Sequence, residues 1–135
     1  MNFIYETDRM RIQILNGTYA AESLRFYEED RELFERYEPL RPTNFYTENY
    51  HRYLMNYEYN RILKGDLMRY WFFAKNDPMR IIGTVSLRNI VHGSYEKCEI
   101  GYKLSSAYHR RGYAKEGIAR VIQIAFTELD LHRIE

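Results

Sequence analysis

Apolar residues recur along this chain at two different spacings, and the switches between them mark out its elements. Arg9-Met10-Arg11-Ile12-Gln13-Ile14 alternates polar and apolar at period two, as a strand with one buried face does. Asn16-Gly17 breaks it, and Thr18 is placed to cap a short helix with Ala21, Leu24 and Tyr27 on its inner face. A second helical stretch around Leu33, Phe34 and Tyr37 ends at Pro39 and Pro42, because proline disfavours helical geometry in the residue before it. Thr47 then caps a longer helix with Tyr50, Tyr53, Leu54 and Tyr57 on one stripe, stopped by Gly65.

Beyond Gly65 the period shortens. Tyr70-Trp71-Phe72-Phe73-Ala74 is aromatic and β-favouring, Asn76-Asp77-Pro78 is a turn, and Arg80 to Ile90 is the returning strand of a hairpin. His92-Gly93-Ser94 marks another turn. Cys98, Ile100, Tyr102 and Leu104 then alternate with Lys97, Glu99, Gly101 and Lys103 as a further strand. From Gly112 the helical period returns, with Ala114, Ile118, Val121, Ile122, Ala125, Phe126 and Leu129 at steps of three and four. The order strand, helices, three strands, helix predicts an α+β fold, a mostly antiparallel sheet with helices packed on its faces.

Composition narrows the class. The 135 residues are 45% hydrophobic and 16% aromatic, enough core for a single domain over 1–135 and incompatible with a disordered or collagen-like chain. Twenty Lys and Arg against nineteen Asp and Glu leave a formal charge of +1, so no global field marks nucleic acid or an anionic membrane as the partner. A single cysteine, Cys98, excludes an internal disulfide framework and a cysteine-based zinc site, and no metal is expected. No apolar stretch approaches the roughly eighteen residues that span a bilayer. The opening Met1 to Asp8 has neither the basic nor the long apolar region of a signal peptide, and the expectation is a soluble, cytoplasmic domain.

The segment with the clearest chemistry is Tyr108-His109-Arg110-Arg111-Gly112-Tyr113-Ala114-Lys115-Glu116, between the last clear strand and the amphipathic helix. Through the first helical turns Arg110, Arg111, Lys115 and Arg120 stand against Glu116, a local charge of +3. The first amides of a helix have no partner within it, and the macrodipole adds about half a positive charge there. Gly112 allows close backbone approach or a positive φ. Together these make an anion site suited to a phosphate or pyrophosphate.

Glu99-Ile100-Gly101-Tyr102-Lys103-Leu104 followed by His109 to Glu116 closely resembles the core of the GNAT N-acetyltransferases, in particular the branch that acetylates ribosomal-protein N-termini and related amines. Thr7-Asp8-Arg9-Met10-Arg11-Ile12 is similar to that branch's opening strand and Ile81-Ile82-Gly83-Thr84-Val85-Ser86-Leu87 to its third, so the resemblance runs along essentially the whole chain. In the family's cofactor loop, Gln or Arg is followed by two residues, Gly, one residue, then Gly or Ala. Gly112 and Ala114 fill the last two positions. His109 stands where Gln or Arg is usual, and Arg110 where the branch often has Gly.

The resemblance implies acetyl-CoA as co-substrate, with its pyrophosphate on the backbone from Arg110 to Lys115, Tyr113 and Ala114 included, and no metal. The pantetheine arm would lie along the strand that ends at Leu104, with Tyr102 lining its path, and Arg110, Arg111 or Lys115 would suit the 3′-phosphate. The reaction implied is direct attack of a neutral amine on the thioester in a ternary complex, the acceptor being a small-molecule amine or a protein N-terminus. Glu99, beside the expected thioester, is the candidate catalytic base, against a structural carboxylate paired with a neighbouring Lys or Arg. Tyr102 by alternation alone reads as core. His109 reads more readily as a loop or phosphate contact than as a base, and Cys98 has no adjacent base to activate it. The tyrosines after Thr47 could shape an acceptor pocket, although helical spacing favours core packing. The acidic run Glu28-Glu29-Asp30-Arg31-Glu32 reads as a solvated face, or, at an acceptor entrance, as an attraction for a cationic amine.

In the resembled branch a run like Leu131-His132-Arg133-Ile134-Glu135 opens a fifth strand that splays from the fourth, with more chain after it. The expectation is therefore a GNAT-like domain lacking its C-terminal portion, with an open sheet edge near Ile100 that invites homo-oligomers. Two further readings follow. One is a catalytically incompetent CoA-binding or scaffolding fragment of such an enzyme. The other is an RNA-binding module, disfavoured because the strands lack a repeated basic-aromatic pattern.

Overall fold

A computed structural model describes residues 2–38, 41–91, 97–129 and 133–134. Ten elements follow one another: β1 (Ile4–Glu6), β2 (Met10–Gln13), α1 (Ala20–Glu29), α2 (Arg31–Glu35), α3 (Glu48–Lys64), β3 (Met68–Ala74), β4 (Ile81–Val91), β5 (Lys97–Leu104), α4 (Tyr113–Thr127) and β6 (Arg133–Ile134). The six strands form one sheet in chain order. β1 to β5 pair antiparallel, with Tyr5 opposite Ile12, Ile12 opposite Phe72, Tyr70 opposite Val85 and Ser86 opposite Gly101. β6 joins parallel to β5 at Lys97 and Cys98, after the crossover through α4. The expected α+β arrangement is what forms, with β1 and β6 added at its edges. Among the described residues, the outer edge of β5 from Glu99 onward has no strand beside it. The turn expected at His92-Gly93-Ser94 and the helix stop at Pro39 lie outside the described residues.

Each face of the sheet carries its own core. On one, Met10, Ile12, Tyr70, Phe72, Val85 and Leu87 meet Val121, Ile124 and Ala125 of α4. On the other, Trp71, Phe73 and Ile81 meet Phe26, Tyr27, Phe34, Phe45 and Met55 of the α1–α3 layer. Full burial of each large apolar side chain is worth about 1.5–3 kcal/mol, so these two seams hold the layers together. Gly117 lets α4 lie against β3, because a Cβ there would overlap the Phe72 ring.

Four details of the helices correct the sequence expectation. Asn16, not Thr18, caps the first turn: its side chain accepts from the Thr18 amide at 3.0 Å. That turn is a 3-10 helix, so the buried stripe of α1 shifts to Ala20, Ser23, Phe26 and Tyr27, leaving Ala21 exposed. α3 is capped by Thr47 and closed by Gly65 at φ 84°, as expected, but its inward stripe is His51, Met55 and Ile62. Tyr53 and Tyr57 are 67% and 49% exposed and stack on each other at the surface. Tyrosine satisfies water with its hydroxyl, so its spacing alone did not fix the buried face. On α4, Phe126 of the expected apolar stripe is likewise exposed.

Candidate active site

The β5–α4 connection is built as a cradle. The Ser105 amide donates to Ile82 O at 2.7 Å, which carries the β4–β5 ladder one residue past the strand. A 3-10 turn, Ser106–Tyr108, follows. Arg110 takes φ 60° and Gly112 φ 81°, and these left-handed residues flank Arg111 and turn the chain sharply into α4. Such alternation points successive N–H groups into one concavity. The amides of Tyr113, Ala114 and Lys115 open the helix, where no intrahelical acceptor exists. Around them the side chains of Arg110, Arg111 and Lys115 are exposed, while Tyr113 is buried and Ala114 half-buried.

Distant residues hold the cradle in shape. Asp30, at the α1–α2 junction, accepts from the Ser106 amide at 2.9 Å and from Ser106 Oγ at 2.7 Å. Arg9 donates through Nη1 to Arg111 O at 2.7 Å, through Nε to Glu116 at 2.8 Å, and lies 4.1 Å over the Tyr113 ring. Tyr108 and Tyr113 meet edge to face, and the Arg111 guanidinium sits 5.0 Å above Tyr108. None of these struts was legible in the sequence. Asp30 lies within the acidic run read as solvated, and the structure corrects that reading for this one residue.

His109 turns inward to the strand it follows: Nε2 lies 2.9 Å from Leu104 O. A carbonyl only accepts, so Nε2 carries the proton and Nδ1 is the ring atom left over. Tyr102, which the alternation alone reads as core, is 60% exposed instead. Glu99 is exposed too, and its Oε2 accepts from Asn89 Nδ2 at 2.7 Å. That partner is an amide, not the Lys or Arg considered from sequence. Cys98 is buried, and burial pushes its thiol up, away from nucleophilic use.

On the other side of β4 and β5 lies a cavity of about 1010 Å3, walled by Tyr27, Phe34, Tyr37, Glu38, Arg41, Phe45, Leu54, Arg69, Ser86, Arg88, Gly101, Lys103 and others, and reaching Tyr102, Leu104 and His109 at the β5 edge. Its tyrosines are Tyr27 and Tyr37, from around α1 and α2, and Tyr102 of β5; none comes from the α3 stripe. Lys103 and Arg41 both pair with Glu38, the latter at 3.1 Å. Arg69 lies 3.4 Å from Glu58. Burial alone would push the Arg69 guanidinium down, but the Glu58 carboxylate, the Tyr27 hydroxyl and the Glu38 carboxylate together outweigh it and hold the group above its ordinary value. This set is not legible in the sequence, because its cations come from four separate segments that only the fold brings together. Among the described residues no group of His, Cys, Asp or Glu could hold a metal ion, and no helix is long and apolar enough to cross a membrane.

The sequence and the fold both have known relatives. The family model described as "Acetyltransferase (GNAT) domain" matches residues 14–135. "Probable N-acetyltransferase YjcK" of Bacillus subtilis (strain 168) is 35% identical over 124 residues, covering 92% of this chain and 68% of that protein. The chain spans about two thirds of the length of the curated relatives it matches along most of its own length. Among solved structures, the ribosomal-protein-S5-alanine acetyltransferase of Vibrio fischeri superposes with a TM-score of 0.91 at 22% identity, over 98% of this chain and 72% of that one. RimJ of Mycobacterium smegmatis, solved in complex with CoA-disulfide, superposes with a TM-score of 0.80 at 19% identity, over 93% of this chain and 60% of that one.

Proposed function

This chain belongs to the GNAT acetyltransferase family and is an enzyme of the N-acetyltransferase type, and from that premise we propose that it transfers the acetyl group of acetyl-CoA to a primary amine by direct attack in a ternary complex. The observation that carries the reading is the cradle at the start of α4. Arg110 and Gly112 take left-handed conformations at the helix entrance, where the first amides of α4 have no intrahelical acceptor, and Arg110, Arg111 and Lys115 are exposed in the same segment. A pyrophosphate needs this arrangement: several donors, a helix N-terminus and no side chain at the closest approach. RimJ, similar in fold, is a protein whose structure holds a CoA group, which supports the same ligand class here.

The rest of the site suits the other half of the reaction. The open edge of β5 beyond Cys98 offers backbone groups along which an extended pantetheine arm can pair as an added strand would. Tyr102 stands exposed along that path. The cavity beneath the α1–α3 layer reaches the same edge, so an amine held there meets the thioester end of the arm. Glu99 occupies the strand face of Gly101 and Lys103, two of the cavity's lining residues. Asn89 holds its Oε2, and Oε1 is the oxygen that would take the proton from the incoming ammonium. A protein N-terminus is one acceptor of the right chemistry, as the names of the ribosomal-protein acetyltransferases indicate for those proteins.

Calorimetric titration with acetyl-CoA tests the assignment, with Gly112→Asp and Gly112→Asn as a pair. Both residues tolerate the left-handed conformation better than others, and only Asp adds charge. Binding that survives in Asn and is lost in Asp supports the cradle. A folded parent that does not bind acetyl-CoA overturns the reading, and binding without amine-dependent thiol release favours a CoA-binding protein that does not turn over.

A further inference from the structure

The cavity under the helical layer has the wrong sign for a simple ammonium. Arg41, Arg69, Arg88 and Lys103 line it, and the carboxylates beside them are Glu38, Glu58 and, opposite Arg88 on the next strand, Glu99, which leaves an excess of one positive charge. We propose that the acceptor carries an acidic group close to its amine, and that Arg88 and Arg41 bind that group. The proposal rests on the acetyl-transfer reading for the role of the amine, and on the cavity alone for the acid.

One buried side chain, Arg41, and one exposed side chain at the cavity rim, Arg88, are placed to take that acid. The Arg41 side chain is only 9% exposed, and its Nε has no hydrogen-bond acceptor among the described residues. Nη2 lies 3.1 Å from Glu38 but is not aligned for a hydrogen bond. The guanidinium is fixed 4.1 Å over Phe45 and 5.2 Å over Tyr27, so its unused donors cannot swing out to water without leaving both rings. A buried charged donor left without an acceptor is costly, and a ligand carboxylate or phosphate would satisfy it. Arg88 makes no ion pair or hydrogen bond among the described residues. Its Nη2 sits 3.1 Å from where a Cβ on Gly101 would stand, so the bare backbone of Gly101 leaves the guanidinium uncovered toward the cavity.

The same charges bear on the chemistry. A cationic wall disfavours the protonated amine and so favours the neutral nucleophile that the reaction needs, while the attached acid restores binding. At about 1010 Å3 the cavity is at the upper end for a small molecule and accommodates the first residues of an extended peptide. The acid we assign is an Asp or Glu side chain in the first few residues of a peptide N-terminus. A small amine bearing a phosphate is the other source of the same chemistry.

The test compares the peptides Ala-Asp-Glu-Gly-amide, Ala-Gln-Gln-Gly-amide and Ala-Lys-Lys-Gly-amide, and phosphoethanolamine against ethanolamine. Direct binding to the full chain and thiol release from acetyl-CoA are both read. We expect the acidic peptide to exceed the neutral one by at least about tenfold and the basic one by more. Arg88→Gln should erase most of that ratio and Arg88→Lys restore part of it, with acetyl-CoA affinity unchanged. A preference confined to phosphoethanolamine keeps the acid and assigns it to a small molecule. Equal or basic-favouring affinities, no binding of any probe, or a ratio unmoved in Arg88→Gln would overturn the proposal. Failure to bind acetyl-CoA would remove the transfer reading while the binding titration still decides this one.

Discussion

Arg9 and Glu116 stand 107 residues apart in the chain, yet Arg9 binds the Glu116 carboxylate with both its backbone amide and its Nε, at 3.1 and 2.8 Å. Thr7 Oγ1 donates to the same carboxylate. The first turn of α4 is thereby tied to the start of β2, directly behind the cradle. The negative charge of Glu116 is paired with Arg9, while Arg110, Arg111 and Lys115 stand exposed in the same segment.

Burial pushes the Glu116 carboxyl up, and the bonds from Thr7 and Arg9 outweigh it and hold it below the ordinary value of 4.5. A depressed carboxyl contributes stability that is complete above about 4.5 and is lost as pH falls through the lower folded value. Thermal melts of the wild type should show an acid limb there. Glu116→Gln should melt lower at pH 7, by about 1–2 kcal/mol of unfolding free energy, and show a flatter limb.

His51 titrates in the opposite sense to a salt-bridged histidine. It is buried against Ser23 Oγ at 2.8 Å, and burial pushes its pKa down to about 4 from 6.5. The unfolded chain therefore takes up a proton below 6.5 that the folded chain refuses until about 4. Stability should fall as pH drops across that interval, and the fall should be much weaker in His51→Phe, measured by urea unfolding at pH 7, 6 and 5.

Gly117→Ala should destabilise, although alanine is the better helix former by about 1 kcal/mol. The added Cβ would overlap the Phe72 ring in the fully packed centre of the sheet. Overpacking of this kind costs about 1–3 kcal/mol and more than cancels the propensity gain. Chemical denaturation should give a lower midpoint with an unchanged slope.

Asp30→Ala removes the two hydrogen bonds that hold Ser106. Acetyl-CoA affinity should weaken several-fold while the melting temperature falls by only a few degrees. Hydrogen exchange across 105–112 should rise more than in the strands. A loss of affinity with unchanged exchange would mean that Asp30 acts on the ligand without ordering the loop.

The cradle was legible in the sequence because its signal is local: a strand ends, cations and Gly112 follow, and an amphipathic helix begins nine residues after Leu104. The strands were legible for the same reason, since alternation is read over a short window. What sequence did not reveal is set by partners far along the chain. Nothing in Glu28-Glu29-Asp30-Arg31-Glu32 distinguishes Asp30 from its neighbours until Ser106 is brought to it. Nothing beside Gly117 announces Phe72. The tyrosines of α3 misled because an amphipathic side chain fits either face, whereas His51, a polar type, took the buried position through Ser23 and the surrounding rings of Tyr27, Phe45 and Tyr50.

The order of strands in the sheet also bears on how the chain reaches this state. β3, β4 and β5 are consecutive, and their connections are short, so the centre of the sheet can assemble at low cost in loop-closure entropy. β2 must wait for three helices to be accommodated before it docks on β3, and α4 arrives from the far end of the chain. The Arg9–Glu116 tie joins these two segments across the length of the chain, so weakening it should raise the unfolding rate more than it lowers the folding rate.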